Sequence, residues 1–241
     1  MKYQKIFKRY EFKYKITQEQ KKNLIEYMAK YMEPDKFGKS KICNIYFDTP
    51  SRILIRRSLE KPLYKEKLRL RSYGQVGEND NVFLEIKKKY DGVVYKRRIV
   101  LSEREAMDYV EGIGKLKNPN QISKEIDYFL NLYRELLPVI YVSYDREAFY
   151  ATDDYDFRIT FDQNIIWRDY NLSLTEEAYG EKLIDDNVVV MEIKTSKAIP
   201  MWLVKFLSDN KIYRTAFSKY GNIYKELFSR ENIGEREKVN I

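Results

Sequence analysis

The chain has 241 residues, 44% of them hydrophobic and including 22 Tyr and 12 Phe, enough for one sizeable domain or two small ones with a real core. With 45 Lys+Arg against 37 Asp+Glu and no His, it carries a formal net charge of +8; this favours polyanionic partners and removes the usual general base and the commonest transition-metal ligand. A single cysteine, Cys43, excludes an internal disulfide framework and a cysteine zinc cluster, so catalysis would have to use carboxylates, Lys, Arg, Tyr or a hard metal ion.

In chain order, "MKYQKIFKRYEF" has no apolar signal-peptide core, and no later run approaches the ~20 apolar residues of a membrane span. An intracellular, soluble, cytoplasmic protein without an intrinsic membrane segment is expected. "RYEFKYKI" alternates, with Glu11, Lys13 and Lys15 on one face and Phe12, Tyr14 and Ile16 on the other, and predicts a strand. Thr17 and Gln20 form a capping box ahead of a helix whose apolar stripe is Leu24, Ile25, Met28 and Met32, stopped by Pro34. "KICNIYF" reads as a strand, and "DTPSRILIRRSL" as a short helix with Arg52 and Arg56 on one side.

In "KEKLRLRSY", Lys67, Arg69 and Arg71 oppose Leu68 and Leu70; in "VFLEIKKKY", Glu85, Lys87 and Lys89 oppose Leu84 and Ile86. Asp91-Gly92 signals a two-residue type I′ hairpin, which pairs Tyr90 with Val93, Lys87 with Lys96 and Glu85 with Arg98. Strand parity sends Lys88 outward, exposed to solvent. Two helices follow, "SEREAMDYVEG" with a Ser102/Glu105 capping box, and "SKEIDYFLNLYRELL" with Ile126, Phe129, Leu130, Tyr133 and Leu137 as its apolar side. Further strands are "VIYVSYDREAFYA", "YDFRITFD" and "VVVMEIKT"; "PMWLVKFLSDN" and "NIYKELF" read as short helices. Residues 1–230 are expected to form one domain, with 231–241 as a charged tail that frays.

The recurring feature is a cation at alternate strand positions, in "EFKYK", "KLRLR", "EIKKK", "YKRRI", "FRITF" and "MEIKT". For one strand, an antiparallel sheet with a wet face is sufficient explanation. Repeated across strands, so many like charges opposite one another would repel. Turning that face inward is worse still, unless an anion, or an anion with a metal, occupies the inside. In that arrangement helices cover the apolar outer face.

In order and over nearly the whole chain, "RYEFKYKI", "YFDT", "KLRLRSYG", "FLEIKKK", "YDREAF", "FRITFD", "MEIKT" and "SKY" resemble the catalytic domain of the vacuolar transporter chaperone (VTC) complex. That domain is the polyphosphate polymerase branch of the triphosphate tunnel metalloenzymes, the CYTH-like superfamily. The resemblance implies an α+β fold with an eight-stranded antiparallel β-barrel tunnel, a charged interior and helices outside. It implies a phosphotransferase moving the γ-phosphate of ATP onto inorganic polyphosphate, with Mn²⁺ or Mg²⁺. The catalytic set it assigns is Lys67, Arg69, Arg71, Lys87, Arg146, Arg158 and Lys219, with Lys13, Lys96, Arg98 and Lys194 as substrate-binding residues. Glu192 matches the family's metal-binding glutamate, and Glu85, Glu11 and Asp162 are further metal candidates.

One departure is informative. Hydrolase and cyclase relatives usually begin with E-x-E-x-K, and here Arg9 replaces the first acidic residue ahead of Glu11 and Lys13, which places the chain nearer the polymerase branch. Phosphoryl transfer asks mainly for positioning and charge neutralisation, which Arg, Lys and a divalent metal supply without histidine. A tripolyphosphate or nucleoside triphosphate hydrolase and a noncatalytic polyphosphate binder remain open, whereas a nucleic-acid partner is not expected because no RRM or zinc pattern is present. A membrane-protein partner is compatible. Tyr144 is placed to reach inward beside Arg146, Cys43 reads as a small buried residue, and Arg52 and Arg56 belong either to a tunnel mouth or to a solvated helix face.

Overall fold

Alternating strands with one apolar and one charged face can be satisfied by a single large sheet whose two faces meet different surroundings. The computed structural model describes residues 10–116 and 119–239. Its elements are β1 (Tyr10–Thr17), α1 (Gln18–Met28), β2 (Met32–Asp48), α2 (Ile53–Leu59), β3 (Tyr64–Tyr73), β4 (Asn81–Tyr90) and β5 (Val93–Ser102). Next come α3 (Glu103–Val110), α4 (Gln121–Leu132), β6 (Leu137–Ala151), β7 (Arg158–Arg168), β8 (Glu181–Lys182), β9 (Val188–Thr195), α5 (Met201–Asp209) and α6 (Lys219–Val239).

The fold is α+β. One antiparallel sheet runs β1-β9-β7-β6-β2-β3-β4-β5, with short β8 beside β7. Five strands separate β1 from β4 in this order, yet Lys87 of β4 reaches Glu11 of β1 at 2.8 Å. The sheet therefore rolls until its two ends meet through side chains. Among the described residues no backbone pairing joins β5 to β1, and the antiparallel sheet is rolled, its ends meeting through side chains. The free edge of β1 is occupied instead: Tyr14 bridges Arg214, and the Thr215 amide donates to the Lys13 carbonyl at 2.7 Å.

Three apolar clusters hold the roll. On the convex side, Ile45, Leu68, Leu70, Leu84 and Ile86 pack under Ala106 and Tyr109 of α3 and Ile126 and Phe129 of α4. Farther round that side, Tyr14, Ile16, Phe161, Met191 and Ile193 meet Leu24 and Met28 of α1 and Leu203 and Phe206 of α5. The third cluster is on the concave side, where Ile42, Tyr46, Val142, Tyr144 and Val190 meet Ile55 of α2 and Tyr220 and Ile223 of α6, with Phe217 just before it. Fully burying one such Leu or Ile is worth roughly 1.5–3 kcal/mol. Helices thus cover the convex face, as the charge pattern requires, and α6 covers only part of the concave one.

Local sequence signals explain the elements. The hairpin pairs Tyr90 with Val93, Lys87 with Lys96 and Glu85 with Arg98, and Asp91 and Gly92 both have positive φ, as a type I′ turn demands. Thr17/Gln20 and Ser102/Glu105 form the expected capping boxes. Four boundaries differ from expectation. Met32 and Pro34 belong to β2, because α1 ends at Met28 and the chain turns back through a Tyr31 amide bond to the Met28 carbonyl. Leu137 opens β6, because α4 stops at Leu132 and the residue before Pro138 is disfavoured in the helical region. Arg52 precedes α2 in a left-handed conformation and does not share a helix face with Arg56; the helix is capped by Asp48, which accepts the Leu54 and Ile55 amides. Finally, α6 runs through the segment expected to fray, as far as Val239.

Candidate anion-binding site

Strand parity sends Lys13, Lys67, Arg69, Arg71, Lys87, Lys96, Arg146 and Lys194 to the concave face, and Lys219 joins them from the first turn of α6. Four carboxylates share this face and organise the cations. Glu85 is fully buried and lies 2.8 Å from Arg69, 2.6 Å from Lys96 and 3.9 Å from Arg71. Burial alone would raise its pKa, but Arg69, Arg71 and Lys96 outweigh this and bring it down to about 2. Asp162 accepts both arms of the Arg146 fork, at 2.6 and 2.7 Å, and Lys219 at 2.5 Å. It is held well below the ordinary carboxylate range by those two cations, against the effect of burial. Glu192 lies 2.9 Å from Lys194 and 3.5 Å from Lys13, and Glu11 pairs with Lys87. All four are ionised at neutral pH, so each fixes a set of cations rather than serving as a proton donor.

The cations nevertheless exceed their partners. Lys67 has no carboxylate within ion-pair distance among the described residues; its ammonium meets the Ser218 hydroxyl at 3.3 Å and lies over the Tyr220 ring at 5.8 Å. Burial, reinforced by Lys13, Lys87 and Lys65, lowers its pKa to about 8. Lys96 is lowered to about 8, first by burial and then by Arg69 and Arg71 against Glu85. Arg71 is buried and donates to the Asn44 side-chain oxygen at 2.9 Å and to the Tyr144 hydroxyl at 3.3 Å. Tyr144 does reach inward: the Arg146 guanidinium and the Lys219 ammonium lie 5.1 and 4.0 Å from its ring centroid. Burial would raise this phenol, but Arg146, Arg71 and Lys219 bring it down to about 8. A phenol lowered against burial by three cations marks a positive local potential around Tyr144, the condition for holding a multiply charged anion, while Lys13 is raised by Glu192 and Glu11 against burial.

Two residues of the expected set stand apart. Arg158 is exposed at the end of β7, where its guanidinium donates to the Tyr155 carbonyl, and Arg98 is exposed on β5 with its guanidinium 4.5 Å from the Phe83 ring centroid. Both lie at the rim rather than within the cluster. Lys88 does point outward, but it is half-buried beside α4, 3.8 Å from Glu125, not exposed. Cys43 is buried, as expected. Arg9 lies outside the described residues.

Sequence reading missed Asn44, Tyr46, Lys65, Thr160 and Ser218. The first two were available from the parity of "KICNIYF"; Ser218 was not, because only the fold shows the chain crossing β1 ahead of α6. Thr160 is the most telling: it is buried directly opposite Glu192 in the β7/β9 register, and its hydroxyl has no hydrogen-bond partner among the described residues. A buried orphan hydroxyl is costly unless a ligand completes it.

For a divalent metal, no cluster of three or more ligating side chains occurs among the described residues. Mg²⁺ commonly binds through one or two carboxylates plus substrate phosphate oxygens. Glu192 and Glu11, close enough that each opposes the other's ionisation, suit that mode with the Thr160 hydroxyl beside them. Glu85 and Asp162 suit it less, because guanidinium and ammonium groups hold both oxygens of each at 2.5–2.8 Å, whereas Glu11 is held through one oxygen and Glu192 meets Lys13 only at 3.5 Å.

Known proteins resemble the chain in sequence and in fold. Residues 8–228 match the family model described as the VTC domain. The chain is 29% identical over 154 residues to vacuolar transporter chaperone complex subunit 4 of Trypanosoma cruzi, covering 52% of this chain and 19% of that protein. It is 27% identical over 164 residues to the Trypanosoma brucei brucei subunit 4, covering 56% and 21% respectively. The matched stretch is thus about a fifth of each relative's length. Two solved structures share the fold at 14% identity. One is a candidate adenylate cyclase from Bacillus halodurans, with a TM-score of 0.53 over 88% of this chain and 95% of that one. The other, from Hippeastrum, is a candidate adenylyl cyclase with a dominant triphosphatase activity, with a TM-score of 0.55 over 90% and 95%. With the family model spanning almost all of it, the chain belongs to the VTC domain family.

Proposed function

We propose that the concave face binds inorganic polyphosphate and the phosphates of ATP, and that the protein is a polyphosphate polymerase-like phosphotransferase. The observation that carries this reading is the surplus of inward cations, above all Lys67, which faces Lys13, Lys87 and Lys65 with no carboxylate partner among the described residues. Such an arrangement is unfavourable in the free protein and becomes favourable when a chain of negative phosphates enters. Membership of the VTC domain family, whose motifs carried the resemblance, supports a phosphate-binding reading.

In the proposed reaction, an oxygen of the terminal phosphate of the growing chain attacks the γ-phosphorus of ATP. A new P–O–P bond forms, the bond between the γ-phosphorus and the β–γ bridging oxygen breaks, and ADP leaves with the electron pair. The nucleophile is already an anion, so no protein base is needed. Arg69, Arg71 and Arg146 present forked donors whose orientation is fixed by Glu85, Asn44 and Asp162, and such pre-set donors neutralise equatorial oxygens without reorganising. Lys13, Lys67, Lys87 and Lys219 add point charges along the chain. A divalent cation held by Glu192 and Glu11 would add further neutralisation of the phosphate oxygens. A closed tunnel, a cytoplasmic site of action and a membrane-protein partner belong to the same proposal.

A second reading, a noncatalytic polyphosphate binder, is favoured by the engagement of all four concave-face carboxylates with cations. The two are separated by incubating the protein with ATP and Mn²⁺ or Mg²⁺ while following ADP, free phosphate and acid-stable polyphosphate, with Glu192→Ala as control. Chain formation with stoichiometric ADP, lost in the variant, supports the polymerase. Phosphate or pyrophosphate without chain would move the assignment to a hydrolase, and binding without turnover to the second reading.

A further inference from the structure

At one rim of the concave face the charged surface gives way to aromatic rings. Tyr73 lies two residues beyond Arg71 on the same face of β3, about 7 Å farther along the strand. Phe83 stands directly opposite Arg71 in the β3/β4 register, and its ring meets Tyr73 edge-on with centroids 5.8 Å apart. Phe37, on the irregular stretch of β2, lies nearly parallel to Tyr73 at 6.4 Å. The Arg98 guanidinium is 4.5 Å from the Phe83 centroid. Phe37 is 64% and Tyr73 53% exposed, so large flat rings stand in water beside a phosphate-binding surface.

We propose that Tyr73, flanked by Phe37 and Phe83, is a stacking platform for the base of a nucleoside triphosphate whose phosphates lie against Arg71 and Arg69. The inference rests on the reading of the concave face as a polyphosphate site and adds the nucleoside end of its ligand. Three features select a nucleobase as the occupant. The platform is continuous with the phosphate cations, the separation suits a ribose and one phosphate, and Tyr73 is an exposed flat ring whose neighbours Phe83 and Phe37 carry the Arg98 guanidinium and the Lys36 ammonium over their rings. Stacking tolerates any base, so ATP and GTP should both use it. Linear polyphosphate has no ring and should ignore it.

The test is titration of ATP and of tripolyphosphate into the wild-type protein, Tyr73→Ala and Tyr73→Phe, with thermal melts to verify folding. Tyr73→Ala should weaken ATP binding by about tenfold, the effect of losing one base–aromatic stack, and leave tripolyphosphate binding within about twofold. Tyr73→Phe should match the wild type with both ligands. Unchanged ATP affinity in Tyr73→Ala would overturn the platform while leaving the phosphate site standing. Equal losses for both ligands would assign the rim to the phosphate chain and overturn it as well. Failure of the wild type to bind tripolyphosphate is a different result, which removes the anion site and the platform with it.

Discussion

Replacing Lys67 with Met should make the protein more stable and a poorer polyphosphate binder. The lysine pKa falls from 10.5 to about 8 in the folded chain, because burial and the neighbouring lysines disfavour the ammonium. At about 1.4 kcal/mol per pH unit, that difference bounds the cost of the charge at roughly 3.5 kcal/mol. Lys67 is only half-buried, and water screens part of the repulsion, so a gain of about 1–2 kcal/mol is expected at pH 7. The pH dependence has a definite sign. Between about pH 8 and 10.5 the unfolded chain holds a proton that the folded chain has lost, so folding stability due to this group rises with pH. The penalty is complete below pH 8 and gone above 10.5, and the advantage of Lys67→Met should shrink across that window. Urea unfolding at pH 7 and pH 10, paired with tripolyphosphate titration at pH 7, measures both effects. A variant that is less stable at pH 7, or that binds tripolyphosphate as tightly as the wild type, would refute the account of Lys67 as an uncompensated ligand-binding cation.

Arg71→Ala should weaken tripolyphosphate binding by about tenfold or more, because its hydrogen bonds go to Asn44 and Tyr144 and its carboxylate neighbour Glu85 is 3.9 Å away and engaged by Arg69 and Lys96, whereas Lys88→Ala on the convex side should change it by less than about twofold; isothermal titration of both variants checks this. Arg69→Ala should instead lower stability by about 3–5 kcal/mol, since it removes the main partner of buried Glu85, and denaturant unfolding reads that loss separately from binding. Thr160→Val should leave the melting temperature unchanged or raised, because the hydroxyl has no partner among the described residues, while weakening Mn²⁺-dependent binding of tripolyphosphate. Tripolyphosphate affinity of the wild type should fall as pH rises through about 8, where Lys67 and Lys96 lose their charges; a flat profile from pH 7 to 9 in a buffered titration would contradict their role.

Period-two patterns made most of the site legible before the fold was known. The Asp91-Gly92 turn put Glu85, Lys87, Lys96 and Arg98 on one face and strand parity did the same for Lys67, Arg69 and Arg71, because register leaves a side chain only two directions; Arg146 and Lys194 were assigned through the family resemblance, and the observed register brings all of these to one face. What parity could not supply was depth. Arg98 and Arg158 obey the same alternation but stand at the rim, and no local signal distinguishes rim from interior. The ends of elements were also hard to read. Met32 and Leu137 fit a helical stripe as well as a strand start, and long-range pairing with Ala151 and Asp48 decides for the strand. Sheet closure depends on which chain claims the last free edge, and the segment before α6 claims that of β1, 200 residues away in sequence. The partners of Asp162 show the same limit. Arg146 is its register neighbour, whereas Lys219, which the resemblance had placed in the site, arrives from α6, and its pairing with Asp162 follows only from the three-dimensional fold.

The most direct test of the central claim is titration of tripolyphosphate into the purified wild-type protein at low and at high salt, without nucleotide. Arginines and lysines converging on one concave face predict saturable binding that weakens steeply as ionic strength rises, because each contact is a charge pair subject to screening. Absence of binding at low salt, or binding insensitive to salt, would contradict the assignment of this face to a phosphate chain.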